Sequence, residues 1–116
     1  MKVKDYKELI VWQKSIELVF ELYKITRQFP SEEKFGLASQ MQRAAVSIPS
    51  NIAEGACRNH TAEFKQFLGI SYGSSAELET QIIIAKKLYS KIDYLRAESL
   101  NLEVQKMLNS LMNKLS

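Results

Sequence analysis

One histidine, one cysteine and four glycines are the residues from which a catalytic or ligand-binding centre would have to be built. His60 stands alone, which removes the Glu-x-x-His pairs that hold di-iron centres in helical bundles and the Cys/His sets that hold zinc. A Ser-His-Asp or Cys-His arrangement would have to recruit His60 from a turn whose nearest acid is Glu63, on the next helical turn. Gly36, Gly55, Gly69 and Gly73 lack the spacing of a phosphate-cradling loop. Cys57 has no second cysteine to pair with, so no disulfide framework exists. No metal, no cofactor and no enzymatic activity are expected from these residues.

A different constellation stands out between Arg43 and Arg58. Arg43, Ser47, Ser50, Asn51, Glu54 and Arg58 fall within an arc of roughly 100° on a helix that stays in phase, opposite an apolar side. Such a stripe reads either as a solvated face or as a docking surface for a protein partner beside Pro49. Basic residues concentrate at the N-terminal lysines and at Lys86, Lys87 and Lys91. The second group sits where a helix ends, so the helix dipole accounts for it, and contact with RNA is the alternative. A net charge of +3, from 16 basic and 13 acidic residues, permits nucleic acid without implying it.

The elements that carry these residues are helices. The 116 residues suit one domain, 1–116, and only four glycines and two prolines interrupt them. Helix one is expected from about Asp5 or Glu8 to Gln28 with two apolar stripes: Leu9, Trp12, Ile16, Val19 and Tyr23, and Val11, Leu18, Leu22, Ile25 and Phe29. Two stripes exceed what one core can cover. Val11, Leu18, Leu22 and Ile25 are therefore assigned to a contact between copies of the chain.

Helix two begins near Phe35 or Gly36, turns Leu37, Met41, Ala44, Ala45, Ile48, Ile52 and Ala56 inward, and is expected to kink at Pro49. Helix three carries a seam of Phe64, Leu68, Ser71, Ser75, Leu78, Ile82, Ala85 and Tyr89, and its Gly73 is read as a point of close helix approach. Helix four opens at Asp93 as N-cap and buries Leu100, Val104, Met107, Leu108, Leu111 and Leu115. Short connections make this an all-α, antiparallel up-and-down four-helix bundle. In that arrangement Arg43 lies level with Glu77, and a buried or half-buried ion pair is expected between them. The charged N-terminus has no secretory pattern and no stretch is long enough to span a membrane, so the expected location is the cytoplasm.

The sequence resembles the four helix bundle protein family associated with intervening sequences in bacterial large-subunit ribosomal RNA genes. Tyr6 to Lys14, Arg43 to Gly55 (with its Ser-Ile-Pro-Ser-Asn-Ile-Ala-Glu-Gly run), Glu63-Phe64 with Phe67-Leu68, and Ala76 to Gln81 carry the resemblance. His60 departs from it, because family members often place Ser there as the cap partner of Glu63. The resemblance implies a homopentamer of left-handed antiparallel bundles. A related accessory protein of diversity-generating retroelements is similar, which implies nucleic acid and a reverse transcriptase as alternative partners to a protein.

Overall fold

The computed structural model describes residue 3 and residues 5–115, so Lys2 and Lys4 of the N-terminal basic group lie outside the described residues. Four long helices make up the fold: α1 Ile10–Thr26, α2 Leu37–Ala56, α3 Thr61–Leu88 and α4 Leu95–Lys114. Short 3-10 turns at Tyr6–Glu8 and Ser31–Glu33 precede α1 and α2. The described residues contain no strand. At 28 residues α3 is about 42 Å long at 1.5 Å per residue, nearly the 44 Å length of the molecule, and it packs against both α2 and α4.

Three of the helical starts have a side-chain acceptor close by. The Asp5 carboxylate accepts the Lys7 N–H at 2.9 Å and caps the first 3-10 turn. The first turn of α2 has no acid of its own, and Glu33 from the preceding turn supplies one by accepting the Leu37 N–H at 3.3 Å. The N-cap of α4 is Tyr94, one residue later than expected and without a side-chain cap bond, and Asp93 accepts the Leu95 N–H at 2.9 Å from the position before it. Glu33 has a second duty, accepting the Tyr89 hydroxyl, while the Tyr89 ring packs 5.0 Å from Phe29. One carboxylate thereby ties the start of α2 to the end of α3.

The core reverses the expectation for α1. Val11, Leu18, Leu22 and Ile25 are buried within the single chain, at 4% exposure or less, and are not a contact between copies. The other stripe, Leu9, Trp12, Ile16, Val19 and Tyr23, lies half-buried at the boundary. The physical reason is Ser15, which shares the inner stripe and whose hydroxyl is satisfied by the Trp12 carbonyl at 2.7 Å, leaving that side dry and slim enough to turn fully inward. Trp12 and Tyr23 carry polar tips that favour a boundary.

The α3 seam forms as expected: Phe64, Leu68, Ser71, Ser75, Leu78, Ile82 and Ala85 are buried, whereas Tyr89 lies just past the helix end. Ser71 donates to the Ile48 carbonyl at 2.9 Å, and Ser75 donates to Asn101 Oδ1 at 2.6 Å while the Asn101 amide donates back to the Ser75 carbonyl at 3.0 Å. Close helix approach occurs at Gly55, not at Gly73. A Cβ on Gly55 would stand 2.6 Å from Phe67 Cβ, whereas one on Gly73 meets nothing within 4 Å because Gly73 faces outward. α2 runs unbroken through the buried Pro49.

Gly55→Ala is expected to destabilise the fold by about 1–3 kcal/mol, because overpacking outweighs the gain in helix propensity. Urea unfolding measures it, and a rise in stability would show that α2 and α3 separate freely. The Tyr89 phenol is pushed from 10.0 up to about 12, first by its hydrogen bond to Glu33, then by burial and the Glu33 and Glu32 charges. The fold therefore favours the protonated phenol: its contribution is whole below pH 10 and fades as pH rises through 12. Thermal midpoints across that range should fall, and Tyr89→Phe should flatten the fall.

Candidate functional site

The polar stripe of α2 is a real surface, but its members differ in how far the chain itself satisfies them. Arg43, Ser50, Glu54 and Arg58 are exposed; Ser47 and Asn51 are half-buried. The Asn51 amide donates to the Ser47 carbonyl at 2.9 Å and to its hydroxyl at 3.0 Å, and the Ser47 and Ser74 hydroxyls join α2 to α3 at 2.8 Å. These bonds lie beside Pro49, which removes a donor from this stretch of α2. Arg58 is likewise engaged, 3.1 Å from Glu54, 3.8 Å from Glu63, and with its guanidinium 5.1 Å from the centre of the Phe67 ring.

Arg43 is different. With Gln40, Ala44, Ser47, Ser74 and Glu77 it lines a shallow cleft between α2 and α3. The register that puts Arg43 beside Glu77 holds, yet the expected ion pair does not form. Both side chains are exposed, and neither joins the ion pairs found among the described residues. Water at the cleft mouth removes the desolvation penalty that would have forced them together, so pairing gains too little to immobilise two long side chains. A free guanidinium and a free carboxylate thus flank a pair of hydroxyls.

Lys86, Lys87 and Lys91 do not form a common bare patch. Lys86 is held by Glu98 at 2.9 Å across α3 and α4, and Lys87 and Lys91 are exposed. His60 occupies the N-cap position of α3 without a side-chain bond, and Cys57 is an exposed thiol. Among the described residues no group of three or more His, Cys, Asp or Glu side chains could hold a metal ion, and no helix is long and apolar enough to cross a membrane.

Two features escaped the sequence reading. Gln81 is 6% exposed and its amide oxygen has no hydrogen-bond partner among the described residues. The outward side of α3 leaves Ile70, Tyr72, Ile83 and Ile84 in solvent around Gly69, Gly73, Ala76 and Thr80. The apolar residues at 70, 83 and 84, out of phase with the seam, were the available signal for that second face.

A sequence model of the 23S rRNA-intervening sequence protein family matches residues 7–110, which takes in the stripe, the cleft and parts of all four helices. The chain belongs to that family. No curated protein matches it. A crystal structure of a protein of unknown function from the S23 ribosomal protein family, from Bacteroides thetaiotaomicron, is similar to it at 26% identity with a TM-score of 0.77. That likeness covers 90% of this chain and 96% of the other. The family match thus includes the unpaired Arg43 and Glu77, and the fold is shared with a relative over nearly its whole length.

Arg43→Ala should change unfolding free energy by less than about 0.5 kcal/mol, since its charge joins no ion pair, while Arg58→Ala should cost about 1 kcal/mol through lost stacking and two carboxylate contacts. Urea titrations of the two variants compare them directly; equal losses would mean that Arg43 is structural.

Proposed function

We propose that this family member is a non-enzymatic, homo-oligomeric binding or adaptor protein of the cytoplasm that docks a protein partner on the α2 stripe and its cleft. The observation that carries this reading is the unmatched pair Arg43 and Glu77, exposed on either side of the bonded Ser47 and Ser74 hydroxyls. The bundle is taken as antiparallel and up-and-down, with α2 bent at Pro49. The Ser47–Ser74, Ser71–Ile48 and Ser75–Asn101 bonds support the first part, and the donor missing at Pro49 supports the second. Five copies is the assembly that the family resemblance implies. With Val11, Leu18, Leu22 and Ile25 committed to the core, the ring contact falls to the half-buried boundary stripe of Trp12, Ile16, Val19 and Tyr23.

RNA is the second reading, favoured by Lys87 and Lys91, which are exposed and make no ion pair among the described residues. The two readings separate by salt and by mutation. Alanine at Asn51 and at Glu54 should leave assembly mass unchanged and abolish capture of the partner in pull-downs; variants that unfold would make the stripe architectural. Binding to large-subunit ribosomal RNA fragments that falls steeply with ionic strength, and weakens in Lys87→Ala/Lys91→Ala, would move the function to nucleic acid.

A further inference from the structure

We propose that the cleft between the end of α1 and the start of α2 binds a small phosphate monoester. The cleft encloses about 300 Å³, and the charged side chains among its lining residues are two cations, Arg27 and Lys34. Both are exposed, and neither joins the ion pairs found among the described residues. The Lys34 ammonium lies 5.6 Å from the centre of the Phe35 ring, a contact that leaves its N–H groups free. Ser31 contributes a hydroxyl and Gln42 an amide. One N–H of that amide goes to the Thr26 hydroxyl at 2.9 Å, and the other makes no bond among the described residues. The cleft therefore offers four donors and no carboxylate.

The acids nearest in sequence are committed elsewhere. Glu33 accepts the Tyr89 hydroxyl and the Leu37 N–H, and the charges of Glu32 and Glu33 both act on Tyr89 at the end of α3. Glu21 pairs with Lys24 and Arg96. Helix electrostatics explain Arg27, which caps the negative end of α1. They do not explain Lys34, which precedes the positive end of α2, a helix with no acid in its first turn to offset the cation. Two like charges around one cleft repel, and a dianion between them removes the repulsion. A phosphate monoester brings close to two negative charges at neutral pH and three acceptor oxygens, whereas a carboxylate would leave one of the cations unmatched.

The frame of the cleft is set without a ligand. The Phe29 N–H donates to the Thr26 carbonyl at 3.1 Å, the Lys34 N–H donates to the Ser31 carbonyl at 3.1 Å, and the Phe29 ring packs on Tyr89. Binding therefore has only the two long cationic side chains to order. Phe29, Pro30 and Ala38 supply an apolar wall, which suits the organic part of an ester and gains nothing from inorganic phosphate. This cleft shares no lining residue with the one that holds Arg43 and Glu77, so it leaves the α2 docking surface untouched and either reading can fail alone.

An NMR titration of the isotope-labelled full chain at constant ionic strength tests the site, with phenyl phosphate, inorganic phosphate and acetate as probes. Phenyl phosphate should shift amides between Thr26 and Gln42 saturably, with a Kd of about 1 mM or below. Inorganic phosphate should bind several-fold more weakly, and acetate should not saturate. Arg27→Gln and Lys34→Gln should each weaken phenyl phosphate about tenfold, while Lys106→Gln, which removes an exposed cation on α4, should leave it unchanged. Circular dichroism should show all three variants folded, because none of these side chains joins an ion pair among the described residues. The proposal is overturned by shifts that fail to saturate or that survive both Arg27→Gln and Lys34→Gln. Acetate or inorganic phosphate binding as tightly as phenyl phosphate overturns it as well.

Discussion

Asn101 and Ser75 exchange two hydrogen bonds in the middle of the core, and the register of α3 on α4 depends on them. An amide and a hydroxyl buried this deeply cost several kcal/mol if left bare, so only the alignment that joins them is accessible to the packed chain. A slip of one helical turn would break both bonds. The apolar layers on either side, Leu78 and Ile82 on α3 with Leu100 and Val104 on α4, inherit their facing from that alignment. Apolar packing supplies the stability, and the polar pair selects one packing from several of similar apolar area.

The same logic operates between α2 and α3. Ser71 reaches the Ile48 carbonyl, Ser74 meets Ser47, and Gly55 lets Phe67 come against the α2 backbone. Small side chains on both helices shorten the distance between them, and the shortened distance makes the hydroxyl bonds reachable. Pro49 sits inside this contact, where two neighbouring carbonyls are met by side-chain donors, that of Ser47 by Asn51 and that of Ile48 by Ser71. The polar stripe is therefore partly consumed by the fold. Arg43 and Ser50 remain most fully available, and Arg43 shares its cleft with Glu77.

Periodicity made the four helices and the α3 seam legible, because each rests on neighbours within one helical turn. Which stripe of α1 turned inward was not legible. Ser15 interrupts the Val11–Leu18–Leu22 stripe as a polar residue, and only the geometry shows its hydroxyl turned back on the Trp12 carbonyl. The glycines posed a similar problem. Gly73 and Gly55 look alike in sequence, and the phase of each helix against its neighbour decides that one is crowded and the other open. For Arg43 and Glu77 a register count found the right cleft but could not see that it is wet. The Glu33–Tyr89 bond joins residues far apart in the chain, beyond any local pattern.

The chain has a single tryptophan, and Trp12 lies with its ring 5.5 Å from Tyr6 at an interplanar angle of 65°. Its indole is half-buried on α1, against the turn that precedes the bundle. Intrinsic fluorescence excited at the indole therefore watches the seating of the N-terminal turn, while the far-ultraviolet signal of the helices watches everything else. When the two optical signals separate on heating, the turn has lifted from a bundle that is still intact.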